Sequence, residues 1–345
     1  MKIGFFELEG WEEPILNEVL MGHELFFFNE HIDEEHIPER TDFDSISVFT
    51  GSKLTAQVLE KFPNLKLITA RSTGFDHIDI AAAAARGVQV GYVPGYGDNT
   101  VAEFAFGLML ALTRNIFPAI HRVKEDNSFN LDGLRGIDLM GRTLGVIGTG
   151  RIGKHAVQIA KGFGMKVVAY DSFPDNAFAE ATGIKYMALP DLLSASDIVT
   201  IHCPATKETF HLINKETIQF MKQGSYLVNT ARGTIVETEA LVQALQSGRL
   251  RGAALDVLEE EGDIKDELSF IYGKHPREEE LRTILLDHVL LKMPNVIITP
   301  HTAFNSEEAV RRILNTTLEN IQGFVAGNMP HPVPLPQSPS VSVPQ

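Results

Sequence analysis

Short apolar runs alternate with stretches of helical periodicity along most of the chain. Lys2–Leu8, Glu24–Asn29, Ile46–Thr50, Lys66–Ala70 and Val88–Tyr92 read as strands, and Glu12–Met21, Thr55–Phe62 and Ile80–Arg86 between them read as helices. Strands alternating with helices predict a parallel sheet with helices on both faces. Strand runs this apolar predict a sheet covered on both sides. Val93-Pro94-Gly95-Tyr96-Gly97-Asp98-Asn99-Thr100 then breaks the pattern. Asn99 or Thr100 is placed to cap a helix over Val101–Ile116. That helix is apolar nearly all round, so it should be buried, in the core or against another subunit.

The alternation restarts at Thr143. Strands are expected at Thr143–Ile147, Lys166–Tyr170, Ile198–Cys203, Ser225–Thr230, Gly252–Val257 and Val296–Thr299. Helices are expected at Ile152–Phe163, Leu189–Ala195, Lys215–Met221 and Glu237–Ser247. A last long helix, Ser306–Ala326, is surplus to this second unit and should pack back on the first. The remainder is rich in proline, serine and valine, and residues 336–345 read as a loose tail.

Composition narrows the class. A chain of 345 residues, 44% apolar and 22% charged, suits two ordinary globular domains. The net charge of −15 argues against a nucleic-acid partner, which would need a basic surface. No run is apolar and long enough for a membrane-spanning helix, and Met1–Gly10 does not resemble a signal peptide. The lone cysteine, Cys203, permits no internal disulfide, which fits a cytoplasmic location.

The sharpest motif opens the second unit. Leu144–Ile147 runs into Gly148-Thr149-Gly150-Arg151-Ile152-Gly153 and then a helix. Gly148 permits the tight turn, Gly150 lets a pyrophosphate approach the backbone, and Gly153 lets the helix pack closely on the strand. The helix N-terminus offers N–H groups to the phosphates. The next strand ends in Asp171, 18 residues after Gly153, where a carboxylate would accept from ribose hydroxyls. It would repel a 2′-phosphate, so NAD is favoured over NADP.

Ligands of open α/β sheets sit beyond the carboxyl ends of the strands. Three strands of the second unit are followed there by Thr230-Ala231-Arg232-Gly233, by Asp256-Val257-Leu258-Glu259-Glu260-Glu261, and by Pro300-His301-Thr302-Ala303-Phe304. A guanidinium binds a carboxylate in a fork and polarises a ketone. A histidine can give a proton to the developing alkoxide. A carboxylate beside the histidine favours its charged form. Taken singly, Arg232 could be a surface residue, any one of the three glutamates a solvated one, and His301 a helix cap. Their convergence at one sheet edge points to hydride transfer between NADH and a 2-keto acid.

These segments, together with Arg71-Ser72-Thr73-Gly74-Phe75-Asp76-His77-Ile78-Asp79, resemble the NAD-dependent D-2-hydroxyacid dehydrogenases over about residues 40–330. His301-Thr302-Ala303-Phe304 and the long insertion Gly262–Lys292 look most like the D-lactate dehydrogenases of that family. The resemblance implies Arg232 as substrate-binding arginine, Glu261 as partner acid (five residues after Asp256) and His301 as proton donor. It implies that Thr73 and Gly74 hold the substrate carboxylate through their N–H groups, and that Tyr96 and Phe304 face the substrate. Gly148, Gly150, Arg151, Ile152, Gly153, Asp171, Cys203, Pro204, Thr209, Thr230, Ala231, Arg232 and Asp256 match cofactor contacts. Asn305 and Leu54 depart from tyrosines found in some members, which leaves the side-chain preference open.

The implied architecture is two Rossmann-like or flavodoxin-like parallel-sheet domains with a cleft between them. Residues 1–98 and 303–335 form a substrate domain and 99–302 an NAD domain, in a homodimer. The expected reaction interconverts pyruvate and D-lactate. The alternatives are a bulkier 2-hydroxy acid, or an NAD-sensing binding protein on the same fold, such as a corepressor. A formate dehydrogenase is disfavoured because Glu261 is present. No metal is expected. His31 and His36 are five apart, which misses the spacing of a helical metal pair, and read as solvated surface. Asp79 reads as a helix cap rather than a ligand, and Cys203 as buried and inert.

Overall fold

The computed structural model of the chain describes residues 1–259 and 278–334. Two compact units emerge: Met1–Tyr96 with the chain from Ser306 onward, and Gly97–Asn305. The first contains a parallel sheet of β1 (Lys2–Phe5), β2 (Glu24–Phe27), β3 (Ser45–Val48), β4 (Leu67–Ala70) and β5 (Gln89–Gly91), in the order β2-β1-β3-β4-β5. β3 and β4 are buried along their whole length, as strands covered on both faces must be. One face packs Phe6, Phe43, Ile46, Val48 and Phe62. The other packs Ile3, Phe5 and Leu67 with Leu314, Leu318 and Ile321 of the last helix, Glu307–Val325. That helix is capped by Ser306, whose hydroxyl accepts from Ala309 N–H at 3.2 Å. Asp79 caps helix Ile80–Ala85 in the same way, through Ala82 N–H at 2.8 Å. Leu54 is wholly buried in the first core and pairs with Ile78.

The second unit holds seven parallel strands: β6 (Thr143–Ile147), β7 (Lys166–Tyr170), β8 (Lys185–Tyr186), β9 (Ile198–Ile201), β10 (Ser225–Asn229), β11 (Leu250–Leu255) and β12 (Val296–Ile298). Their order is β12-β11-β10-β9-β6-β7-β8. The chain leaves β6 for β7 and β8 on one side, then crosses to β9 on the other. Strand order therefore reverses at β6/β9, which is where doubly wound sheets bind nucleotides.

Four details differ from the sequence expectation. The apolar helix begins at Asp98, after Gly97, and neither Asn99 nor Thr100 caps it. It ends at Thr113, because Asn115 takes a left-handed backbone (φ 51°) that stops a helix, and a separate helix, Ile116–Lys124, follows. Lys215–Met221 is reduced to a short 3-10 turn, Thr217–Phe220. Within the long insertion, Glu278–Lys292 is helical. Among the described residues no single helix is long and apolar enough to cross a membrane.

Candidate active site

Helix Arg151–Gly162 starts directly from the glycine loop that follows β6. Gly148 has φ +89°, and a Cβ there would lie 2.6 Å from Cys203 N. The loop thus lies against the carboxyl end of β9, at the reversal point. A Cβ on Gly153 would stand 2.0 Å from Gly148 O, so only glycine lets this helix approach its own loop. A Cβ on Gly150 would meet nothing within 4 Å: its outer side is open. Ile152 packs inward on the core, and Arg151 pairs with Asp98 at 3.3 Å.

Asp171 ends β7 in a defined posture. Its Oδ2 accepts from Thr149 N–H at 2.6 Å and Thr149 Oγ1 at 3.0 Å, and its Oδ1 from Phe173 N–H at 2.8 Å. Thr149 Oγ1 also lies 2.7 Å from Tyr186 Oη. A carboxylate has about four acceptor sites, so capacity remains for a sugar hydroxyl. Beyond β9, Thr209 Oγ1 donates to Pro204 O and accepts from Thr206 N–H, both at 2.7 Å, closing that loop on itself. Burial pushes the Cys203 thiol up to about 11, so it stays protonated and unreactive near neutral pH.

The ends of β10, β11 and β12 are stitched together. Asn229 Nδ2 donates to Arg232 O at 2.9 Å, and its Oδ1 accepts from Ala231 N–H at 3.0 Å. A Cβ on Gly233 would fall 2.0 Å from Leu258 O, so the Arg232-Gly233 segment runs directly beneath the one after β11. Asp256 is almost wholly buried. Its Oδ1 accepts from Thr299 Oγ1 at 2.5 Å and Thr302 N–H at 2.9 Å, and its Oδ2 from Ala303 N–H at 2.8 Å. Burial raises its pKa above the ordinary aspartate value in spite of those donors and the nearby His301. Asp256 O accepts from His301 N–H at 2.8 Å. His301 has a left-handed backbone (φ 52°), an uncommon conformation for a non-glycine residue, and the Asp256 clamp holds it there.

Glu259 is already committed. Its Oε1 lies 2.5 Å from His211 Nε2, and its Oε2 accepts from Thr238 Oγ1 at 2.8 Å. Glu260 and Glu261 lie outside the described residues. Arg232 Nη1 donates to Ala231 O at 2.8 Å. Thr230 Oγ1 is buried and has no hydrogen-bond partner among the described residues. Thr73, Gly74 and Tyr96 belong to the first unit. There Thr73 Oγ1 donates to Val93 O at 2.7 Å, Ser72 Oγ to Gly74 O at 2.6 Å, and Arg312 Nε to Tyr96 O at 2.6 Å. Phe304, half-buried, follows the clamped Ala303.

Sequence reasoning missed two groups. His202 follows β9, with Nε2 3.0 Å from Thr200 Oγ1 and Nδ1 buried without a partner among the described residues. The residue as a whole keeps some solvent contact, but burial of the ring pushes its pKa down to about 4. Tyr186 reaches the glycine loop from β8, a strand of two residues with too little periodicity to reveal it. An open Gly150, a cradled turn, an orphaned Thr230 hydroxyl and a carboxylate at the end of β7 fit a dinucleotide.

Comparison with known proteins agrees with this arrangement. Residues 106–303 match the NAD-binding domain of the D-isomer specific 2-hydroxyacid dehydrogenases. The chain belongs to this family, and its cofactor is NAD. It is 34% identical to the D-lactate dehydrogenase of Escherichia coli over 95% of this chain and 98% of that one. It is 40% identical to the aromatic 2-oxoacid reductase of Clostridium sporogenes over 82% of this chain and 83% of the relative. The solved D-lactate dehydrogenase of Aquifex aeolicus, complexed with NAD and lactic acid, has a TM-score of 0.86 at 36% identity, covering 97% of this chain and all of that one.

Proposed function

We propose that the chain interconverts a small 2-keto acid and its D-2-hydroxy acid, with pyruvate and D-lactate as the preferred pair. The observation that carries this reading is the Asp256 clamp, which fixes His301 in a left-handed turn after β12, with only β11 between that strand and the one Arg232 follows. NAD, when bound, supplies the hydride donor or acceptor. Gly150, Asp171 and Thr230 hold the dinucleotide, and Gly148 and Gly153 shape its loop. Residues 97–305 then serve as the cofactor domain and the first unit as the substrate domain.

Arg232 binds the keto acid through its planar fork and polarises the carbonyl. His301 gives its proton to the carbonyl oxygen in reduction and takes it back in oxidation. Glu261 is the acid that favours charged His301. The commitment of Glu259 to His211 and Thr238 removes one of its two rivals for that role. Thr73 and Gly74 take the carboxylate, and Tyr96 and Phe304 the side chain. Asp256 acts by positioning the His301 turn, since its oxygens face that turn.

A second copy of the chain is the proposed partner, in the cytoplasm. Ile116, Phe117, Ile120 and Val123 leave an apolar stripe exposed on one helix, and Phe129 and Leu131 are exposed just beyond it. The helix before it, by contrast, buries its apolar residues within the second unit.

The relative that reduces aromatic 2-oxoacids supports a second reading, a bulkier side chain. Specificity constants for pyruvate, 2-ketoisocaproate and phenylpyruvate at saturating NADH separate the two. An extra methylene in an apolar pocket is worth about 1–3 kcal/mol, so preference should be graded, with pyruvate first. Phenylpyruvate first would overturn the lactate assignment alone. NADH binding with no turnover of any keto acid would leave only a binding protein.

A further inference from the structure

We propose that His31, Asp33 and His36 form a binding site for one divalent first-row transition cation of the zinc type. This site lies on the segment between β2 and β3, outside every residue assigned to the reaction. One ligand-capable atom from each of the three side chains falls within 4.8 Å of the others. His31 Nε2 is 3.1 Å from Asp33 Oδ2, and His36 Nδ1 is 2.8 Å from Asp33 Oδ1. Two imidazoles and one carboxylate suit zinc and leave a position for water. Zinc bonds its ligands at about 2.0–2.2 Å, so the cluster must contract slightly around the ion. The two histidine side chains are 43% and 50% exposed and can swing inward.

The backbone beneath is already fixed, and for reasons unrelated to the histidines. Ile32 is fully buried. Its N–H donates to Ser52 Oγ at 3.0 Å and its carbonyl accepts from Lys53 N–H at 2.7 Å. Ser52 Oγ donates to Glu7 Oε2 at 2.5 Å, and the same carboxylate accepts from the N–H groups of Phe49, Gly51 and Ser52. Asp33 Oδ1 accepts from Glu35 N–H at 2.8 Å and His36 N–H at 2.7 Å. That turn brings the His36 ring to 4.8 Å from the His31 ring. A spacing of five, which fails on a helix, therefore converges on this loop. Exposed Glu30, Glu34 and Glu35 add negative field that concentrates cations there.

The test is calorimetric titration of tag-free full-length protein with Zn2+, with Co2+ as an optical probe. One saturable site should appear, with the visible bands of low-coordinate Co2+. The double variant His31→Asn/His36→Asn should lose it. Asp33→Asn keeps an oxygen for the turn but removes the charge, and should weaken Zn2+ by about tenfold or more. Zn2+ should raise the Tm of wild type and not of the double variant. NADH affinity, unchanged in both variants, verifies that they fold. Absence of a saturable site would mean a hydrogen-bonded surface trio only, and equal affinity in the double variant would place the ion elsewhere. Either result overturns the proposal, and neither touches the dehydrogenase reading.

Discussion

Two regions at the carboxyl edge of the second sheet, the glycine loop proposed to hold the cofactor and the segments proposed for acid–base chemistry, are built on opposite plans. The phosphate loop is local: six consecutive residues, Gly148–Gly153, make the turn, and its shape depends on what their Cα atoms lack. The proposed acid–base region is non-local: it draws on segments after β10, β11 and β12, and one buried carboxylate after β11, Asp256, bonds three groups of the His301 turn after β12. A local site of this kind should tolerate change wherever its surface is open. A stitched site should fail chemically at single residues while the fold persists.

The largest expected effect belongs to the stitched end. His301→Asn keeps a residue tolerant of the left-handed backbone and removes the proton donor. Turnover with pyruvate should fall by about 10²–10⁴-fold, the usual size of a general acid contribution. NADH affinity by fluorescence titration should stay near wild type. A loss below tenfold would remove His301 from the chemistry.

Next comes His202, beneath the phosphate loop. Its folded pKa of about 4 lies well below the ordinary histidine value of about 6.5, because burial disfavours the charged ring. The unfolded chain therefore binds a proton first as pH falls. The stability of the neutral ring is intact above pH ~6.5 and is lost progressively toward pH ~4, amounting to about 3 kcal/mol. Urea unfolding at pH 7 and near pH 4 should show wild type losing about that much more than His202→Asn. Parallel losses would place the acid sensitivity elsewhere.

The local plan is broken or kept by two glycines of one motif. Gly153→Ala puts a methyl 2.0 Å from Gly148 O and should cost about 1–3 kcal/mol of stability. Gly150→Ala meets nothing within 4 Å among the described residues beyond its chain neighbours, so its Tm should barely move while NADH binding weakens. Equal Tm losses would contradict the open face at Gly150.

These contrasts explain what was legible in the sequence. Gly148, Gly153 and Asp171 were readable because a strand–loop–helix carries its geometry in consecutive residues. Strands such as Ser225–Asn229 were readable because burial on both faces leaves little but apolar residues. The break at Asn115 was not, since a left-handed asparagine leaves no mark on the apolar periodicity. Arg232 and His301 were legible as residue types at strand ends, but the clamp that aims His301 was not. Asp256 was read as a cofactor contact, and only the fold shows its oxygens turned toward Thr299, Thr302 and Ala303. His31 and His36 were read as solvated surface on helical spacing, and that spacing carries no trace of the Asp33 turn that brings their rings together.

The smallest effect tests whether even the local loop has a non-local prop. Thr149 Oγ1 donates its one proton to Asp171 Oδ2, so at the 2.7 Å contact Tyr186 Oη must be the donor to Thr149. Tyr186→Phe removes that donor and leaves Thr149 N–H on the carboxylate at 2.6 Å. A single neutral hydrogen bond is worth about 0.5–1.5 kcal/mol, so the NADH Kd should rise by about 2–10-fold. Turnover at saturating NADH should not change, because nothing at the β10–β12 end is touched. Thr149→Val, which also strips the direct hydroxyl from Asp171, should raise the Kd further. If Asp171 discriminates through its posture as well as its charge, the NADH-over-NADPH preference should shrink in the same order. If Tyr186→Phe binds NADH as wild type does, the tyrosine merely anchors β8, and the phosphate loop is as self-contained as its sequence suggests.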